Sequence, residues 1–293
     1  MFKEKWRLPV LLSFAYYKKA FEICKGYYKK AFDLHKLGDD FFFIIDSGAF
    51  SIKNSGKKLF IEDYCDFVKE YVPSDVRYFN FDVIGDSSAT FKNLIFMRKK
   101  GLRPIPIITK DDDLPMIERY YIMSPDYVGF GGLKDADMGV SIGDRKHIKW
   151  LMQEGCKGRP SHWLGFCNPD FIKYYKPTSC DSLTWKQAQI YGKIYVLTES
   201  GMHLISRQQI LNAKLNIRHG ILAAGFDIGD LYTKENWYGG DQLAQFISTV
   251  MYIKFVKKIQ EKVGTNMHLV IGNQQDFDML LKAKHYLEKR GEL

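Results

Sequence analysis

The sequence predicts an α/β fold in which eight parallel strands alternate with helices as a (β/α)8 barrel. Three observations support this prediction. Short apolar or β-branched runs alternate with stretches whose apolar residues recur at helical spacing. The strand-like runs are continuously apolar, as expected for parallel strands that are buried on both faces. Eight such runs are present, which is the number that closes a barrel of this kind, and an open doubly wound sheet is the alternative.

The predicted strands follow one another along the first two thirds of the chain. Between them, residues 61–72 show helical spacing, and residues 89–101 combine that spacing with a basic end and a glycine. The strands are predicted at residues 8–15, 41–46, 77–83, 103–109, 126–132, 162–166, 177–182 and 193–198.

The C-terminal part, from residue 199 onward, contains two predicted helices, at residues 241–264 and 276–293. Between them, "MHLVIGN" at 267–273 is strand-like and competes with residues 193–198 for the place of the last barrel strand. No linker rich in Gly, Ser or Pro divides the chain. We therefore expect residues 1–293 to form a single domain with a helical C-terminal extension.

Composition and charge narrow the class of protein. Apolar residues make up 46% and aromatic residues 15% of the 293 positions, which argues against a disordered chain. The formal net charge of +9 suits a polyanionic partner such as nucleic acid. The apolar N-terminal stretch is too short to span a bilayer, and the cysteines form no C-x-x-C pair. These features predict a cytoplasmic protein without a membrane segment, a disulfide framework or a metal site.

Three aspartates close predicted strands: Asp46 follows "FFFII", Asp82 lies in "FNFDV", and Asp181 lies in "SCDSLTW". Any one of them is most simply a turn residue or a helix N-cap. Three at corresponding positions indicate an active site, because the C-terminal ends of barrel strands gather at one mouth and carry the chemistry. The glycines of "GFGGL" at 129–133 allow a flat ligand to approach the backbone.

These stretches resemble motifs of the tRNA-guanine transglycosylases. "DSGAF" resembles the D-S-G-G-[FY] motif of the family, and "FNFDV" falls where the family has an Asp that ends the next strand. "GFGGL" is similar to its G-G-L, and "RPSHWLGFCNPDFI" to its R-P-H-Y-L-M-G-x-G-x-P-x-D-[LI]. "CDSLTW" falls where the family carries its catalytic Asp. Order and spacing agree from about residue 40 to residue 185, so five individually weak motifs become specific together.

The chain also departs from the family pattern. The C-terminal zinc site of the family, built from three Cys and one His, has no counterpart, since no cysteine follows Cys180. The V-Q-G-G stretch is replaced by "IITKDD", with Thr109 where the Gln would lie. The block after Asp181 reads "SLTW". A compact chain without the zinc subdomain resembles the phage and bacterial branch that acts on DNA and exchanges guanine for a 7-deazaguanine such as preQ0.

The resemblance implies the roles of the three acids. Asp181 is then the nucleophile that bonds to C1′ of the sugar, as a carboxylate does in retaining glycosidases. Asp46 is the general acid/base for the departing and incoming bases. Asp82 accepts hydrogen bonds from the N1–H and 2-amino edge, which guanine shares with 7-deazaguanines.

The remainder of the base pocket is implied residue by residue. Phe50 is expected to stack on the purine face, with Leu164 or Trp163 below it, although both aromatic residues also suit a core. His162 is interpreted as a strand residue rather than a ligand. The other residues implied to bind substrate are Ser47, Gly48, Thr109, Gly131, Gly132 and Leu133.

The expected partners are DNA, favoured over tRNA, and a free 7-deazaguanine base of the preQ0 kind, with no cofactor. Two alternatives stay open. One is the same chemistry on tRNA, and the other is a non-catalytic barrel that only binds nucleic acid. The strand-end acids argue against the second alternative, because carboxylates repel phosphates unless they take part in chemistry.

Overall fold

Eight parallel strands form the main sheet of the protein. The contacts of the computed structural model divide the chain into two compact units. Unit 1 consists of Met1–Ser182 and Val263–Asn273, and unit 2 consists of Leu183–Lys262 and Gln274–Leu293. The prediction that the whole chain acts as one domain stays a prediction. The structure describes residues 5–15, 37–49, 59–133, 146–238 and 242–293.

The sheet of unit 1 is parallel throughout, which confirms the predicted α/β class. Its strands occur in the order β3-β2-β1-β10-β7-β6-β5-β4, so β1 to β3 and β4 to β7 each follow chain order, and β10 lies between β1 and β7. The strands of the described chain are β1 (Leu8–Ser13), β2 (Phe41–Asp46), β3 (Arg77–Tyr78), β4 (Ile107–Ile108), β5 (Val128–Phe130), β6 (Ser161–Trp163), β7 (Ser179–Ser182), β8 (Lys193–Thr198), β9 (Gly201–Ser206) and β10 (Asn266–Ile271).

An isolated bridge links the segments next to the two edge strands of this curled sheet. Phe79, just after β3, forms a parallel bridge with Ile105, just before β4. The Ile105 N–H donates to the Tyr78 carbonyl at 2.8 Å, and the Asn80 N–H donates to the Ile105 carbonyl at 2.9 Å. The Asn80 side chain continues the ladder, because its Oδ1 accepts from the Ile107 N–H at 2.8 Å. Buried side chains from these strands and the segments beside them form one apolar cluster, which contains Leu11, Ile44, Phe79, Ile105, Ile107, Tyr127 and Val270.

The eighth strand of the sheet is β10, which pairs with β1 and β7. The alternative that placed residues 267–273 in the sheet is therefore confirmed, and the prediction that placed residues 193–198 there is wrong. Residues 193–198 instead form β8, which pairs antiparallel with β9 in unit 2. Helices cover β8 in the same unit: the Tyr195 N–H donates to Ser248 Oγ at 2.9 Å, and Gly220 packs against the Leu197 carbonyl. A hairpin strand buried in this way shows the same continuous apolar run as a parallel strand.

Helices follow the strands of unit 1. The helices predicted at residues 61–72 and 89–101 are confirmed as α1 and α2. Asp86 caps α2 by accepting from the Ala89 N–H at 2.8 Å, and Asp113 caps α3 by accepting from the Met116 N–H at 2.9 Å. The described helices of unit 1 are α1 (Ile61–Tyr71), α2 (Ser87–Lys99), α3 (Leu114–Met123), α4 (Lys146–Trp150), which continues as a π-helix (Leu151–Cys156), and α5 (Pro169–Tyr175).

Unit 2 contains the hairpin and most of the C-terminal helices. The helices predicted at residues 241–264 and 276–293 are confirmed as α10 and α11. None of the described helices combines the length and the apolar character that crossing a lipid bilayer requires. The helices are α6 (Thr184–Ile190), α7 (Arg207–Leu211), α8 (Leu215–Ala223), a 3-10 helix (Ile228–Leu231), α9 (Glu235–Tyr238), α10 (Leu243–Val263) and α11 (Gln274–Lys289).

Candidate active site

Asp46 interacts electrostatically with the other two sequence-predicted acids, Asp82 and Asp181, in unit 1. Asp46 ends β2, Asp82 lies in the loop after β3, and Asp181 lies in β7. Burial is the largest influence on Asp46, and together with the negative charges of Asp82 and Asp181 it raises the pKa of this carboxyl to about 8. Asp46 is therefore mostly protonated at neutral pH and can give up a proton.

The turn after β2 explains why the chain needs serine and glycine behind Asp46. The Ser47 hydroxyl donates to Asp82 Oδ1 at 2.8 Å, so that one buried side chain links the ends of β2 and β3. The Gly48 N–H donates to Asp46 Oδ2 at 2.9 Å and fixes the orientation of that carboxyl. Burial also raises the pKa of Asp82, against the lowering effect of the Ser47 hydrogen bond.

Gly48 is required by both backbone conformation and space. Its φ is +83°, in the left-handed region that favours glycine. A Cβ at this position would lie 2.3 Å from Ala15 Cβ and 2.7 Å from Ser13 Oγ. Ser13 ends β1 in register with Asp46, and its buried hydroxyl has no hydrogen-bond partner among the described residues.

Gly48→Ala is expected to reduce the free energy of unfolding by at least about 2 kcal/mol more than Gly85→Ala, as measured by urea denaturation. Gly85 is the matched control, because its φ is +85° but no atom lies within 4 Å of its added Cβ. The difference between the two variants isolates the close approach to β1. Equal losses in the two variants would contradict the packing described for Gly48.

Asp82→Asn is expected to lower the pKa of Asp46, because the substitution removes one of its neighbouring negative charges. Asparagine keeps an oxygen that can accept from Ser47. The measurement is a ¹³C NMR titration of aspartate carboxyls, with the Asp46 signal assigned by its loss in Asp46→Asn. Asp86→Asn is the control, since Asp86 caps α2, and an unchanged Asp46 titration in Asp82→Asn would show that the two carboxyls do not interact.

Asp181 is anchored through one of its two oxygens. The Gly165 N–H donates to Asp181 Oδ1 at 2.8 Å, and His162 Nε2 lies 3.1 Å from the same oxygen. Gly165 has a φ of +67°, which turns its N–H toward β7 just after β6 ends. Asp181 itself is only 6% exposed. The geometry therefore fixes the carboxylate in one orientation.

His162 is the residue whose contact with Asp181 the sequence interpretation missed. It lies in β6, as predicted, but its side chain is fully buried and contacts both Asp181 and Ser179. The register that pairs His162 with Ser179 and Trp163 with Cys180 produces these contacts. A histidine in the middle of the apolar run "SHWLGF" was the available signal, because a polar ring buried there needs hydrogen-bond partners.

The other residues predicted to bind the base lie after β4, β5 and β6. Thr109 uses both its N–H and its hydroxyl to contact Asp112 Oδ2, at 2.7 and 3.1 Å. The Gly131 N–H donates to the Ile108 carbonyl at 2.8 Å, and Leu133 is buried. Gly132 has a φ of +72° and is exposed. In a parallel sheet these positions lie at the same end as the acids.

Two of the three residues predicted to stack on the base, Leu164 and Trp163, lie in the described part of the chain. Leu164 packs against the apolar cluster inside the sheet. Trp163 is fully buried, and its indole N–H donates to Met152 Sδ at 3.3 Å, which makes it a core aromatic residue. Phe50 lies outside the described residues. The placement of Leu164 beneath a base therefore stays a prediction.

Metal-ligand geometry was compared with the arrangement of the three acids in the described part of unit 1. Across the described residues of that unit, no three His, Cys, Asp or Glu side chains have ligand atoms that all lie within 4.8 Å of one another. Asp46 and Asp181 instead differ in environment, since one has a raised pKa and the other carries two contacts on a single oxygen. That arrangement suits a division between a proton donor and a nucleophile.

Comparison of the chain with protein-family models and with curated proteins gives no match.

Proposed function

We propose that the protein is a DNA-guanine transglycosylase that replaces guanine in DNA by a 7-deazaguanine of the preQ0 kind. The observation that carries the proposal is the raised pKa of Asp46 beside the anchored carboxylate of Asp181. One group is ready to protonate a leaving purine and the other to attack the sugar. The ordered family motifs, which include all three acids of the site, support the assignment.

A closed (β/α)8 barrel is part of the same proposal. The bridge between Phe79 and Ile105 joins the two edge strands, and its hydrogen bonds support closure of the eight-stranded sheet. In this barrel β10 is the eighth strand, and Leu183–Lys262 is an insertion between the seventh and eighth strands. The acids then lie at the C-terminal mouth, where barrel enzymes carry their active sites.

The first half-reaction releases guanine. The free Asp181 oxygen attacks C1′, the bond from C1′ to the purine nitrogen breaks, and the proton of Asp46 passes to the leaving guanine. The electron pair of the broken bond leaves with the purine. The products are a sugar ester on Asp181, free guanine and the Asp46 carboxylate.

The second half-reaction reverses these changes with a different base. The Asp46 carboxylate removes the proton from the ring nitrogen of the incoming 7-deazaguanine, that nitrogen attacks C1′, and the ester bond to Asp181 breaks. Asp82 accepts hydrogen bonds from the N1–H and 2-amino groups of either base, so the site admits both guanine and its deaza analogue. The target nucleotide has to leave the base stack to reach these groups.

The DNA assignment is supported by the sequence departures and by the charge. The chain lacks the zinc ligands of the enzymes that act on tRNA, and "SLTW" replaces their sequence after the catalytic Asp. The net charge of +9 suits a phosphate backbone of either kind. Recognition of tRNA is therefore the alternative that the decisive assay has to include.

The test is incorporation of radiolabelled preQ0 into guanine-containing DNA and into tRNA, followed by mass spectrometry of the released nucleosides. We expect the label in DNA, with release of one guanine for each base incorporated. Label in tRNA alone would replace DNA by tRNA as the substrate. Label in neither would overturn the transglycosylase assignment.

A further inference from the structure

A chain of buried polar side chains runs through unit 1 and ends at Asp181. The Tyr127 hydroxyl contacts Ser179 Oγ, Ser179 Oγ lies 2.5 Å from His162 Nδ1, and His162 Nε2 lies 3.1 Å from Asp181 Oδ1. All four residues are at most 6% exposed. Burying four polar groups inside an apolar sheet is costly unless each is satisfied by its neighbour. In this linear arrangement, the hydrogen bonds of the four side chains depend on one another.

The chemistry of the groups determines which atom donates in each of these hydrogen bonds. The Asp181 carboxylate oxygen can only accept, so its contact with His162 Nε2 assigns the ring proton to Nε2. In this tautomer Nδ1 accepts from the Ser179 hydroxyl, and the Tyr127 hydroxyl is then the donor to Ser179 Oγ.

The rings around His162 supply no competing charge. Phe79 lies 4.9 Å and His268 5.6 Å away between ring centroids. Burial and the proximity of His162 lower the pKa of His268 to about 3, which keeps that ring neutral. At the far end, the Arg77 guanidinium lies 4.7 Å from the centroid of the Tyr127 ring. Asp181 is therefore the only carboxylate that contacts His162 in the described part of unit 1.

We propose that His162 is a positioning residue that fixes the nucleophile through a Tyr127–Ser179–His162 hydrogen-bond chain. Its Nε2–H and the Gly165 N–H both donate to Oδ1 of Asp181. The other oxygen, Oδ2, is left to attack C1′. The inference rests on the proposed function in assigning the attack to Asp181, whereas the hydrogen-bond chain does not depend on that function.

The same two donors act in both half-reactions. In the sugar ester, Oδ1 is the carbonyl oxygen and keeps its two hydrogen bonds. When the incoming base attacks C1′, the electron pair of the C1′–O bond returns to the carboxylate, and the donors stabilise the developing negative charge. Loss of the His162 donor should therefore slow chemistry and leave binding of DNA unchanged.

Two isosteric substitutions separate this role from simple packing. The amide nitrogen of glutamine corresponds to Nε2, and the amide oxygen of asparagine can take the place of Nδ1 and accept from Ser179. His162→Gln thus keeps a donor toward Asp181, whereas His162→Asn keeps only the contact with Ser179. We expect His162→Asn to lower kcat about 100-fold with KM within about threefold of wild type, and His162→Gln to recover at least about tenfold of that loss. Equal kcat values in the two variants, or losses that follow their melting temperatures, would overturn the proposal.

A second measurement does not need activity. ¹⁵N NMR of histidine-labelled protein reports the tautomer of His162, whose signals are assigned by their absence in His162→Gln. We expect the Nε2–H tautomer in wild type, with His203 of unit 2 as an internal control. An Nδ1–H tautomer in wild type would overturn the proposal, because Nε2 would then have no proton to donate. If wild type exchanges no base but shows the Nε2–H tautomer, the proposed function fails and the anchoring of Asp181 stands.

Discussion

Asp181→Asn is expected to abolish base exchange, with kcat at least about a thousandfold below wild type. Asparagine has the same shape and keeps an oxygen that can accept from Gly165. It has no carboxylate to bond to C1′, so neither half-reaction can begin. The measurement is the rate of labelled base incorporation into DNA at saturating DNA and base.

The control for this substitution is Asp86→Asn, which also replaces an acid near a strand end. Asp86 caps α2 and contacts none of the three acids of the site, so the variant should retain at least about half of the wild-type rate. Thermal unfolding of both variants shows whether any loss of activity comes from loss of the fold. Residual exchange in Asp181→Asn above about one hundredth of the wild-type rate would remove Asp181 from the role of nucleophile.

Asp46→Asn is expected to lose activity and to gain stability. Loss of the general acid should reduce the rate of guanine release about 100-fold or more. In wild type the pKa of Asp46 is about 8 in the folded state and near 3.8 in the unfolded state. The folded protein therefore binds this proton more tightly, and the stability that the protonated form gives is lost as the pH rises from about 4 to about 8.

Asparagine at position 46 cannot ionise, so the variant escapes that loss. The unfolding free energy of Asp46→Asn minus that of wild type should be larger at pH 8 than at pH 4 by about 2 kcal/mol or more. The measurement is urea denaturation of both proteins at both pH values. In wild type, guanine release should also slow as the pH rises above about 8, because Asp46 then lacks its proton. A pH-independent difference in stability would contradict the raised pKa of Asp46.

Much of the site was predictable because its residues close apolar strands. Asp46 ends the apolar run "FFFII" and Asp181 lies in the short strand "SCDS", and parallel strands bring such positions to one end of a sheet. The link from Ser47 to Asp82 was not predictable, since it depends on the tertiary placement of two loops. The need for Gly48 was equally hidden, because its nearest neighbours are Ser13 at the end of β1 and Ala15 just beyond it.

The eighth strand shows where pattern reading fails. Residues 193–198 and 266–271 are both short apolar runs, and nothing local distinguishes a hairpin strand packed between helices from a parallel strand in a curled sheet. The choice is made by pairing partners distant in sequence. The contact of His162 with Asp181 depends in the same way on the register between β6 and β7.

The most direct test of the central claim is the site of the covalent bond. The protein is incubated with guanine-containing DNA and no acceptor base, digested with nuclease and protease, and examined by peptide mass spectrometry. We expect a peptide that carries a deoxyribose-linked nucleotide on Asp181, and we expect the adduct to disappear when preQ0 is added. An adduct on Asp46, or base exchange without any protein adduct, would contradict the proposed mechanism.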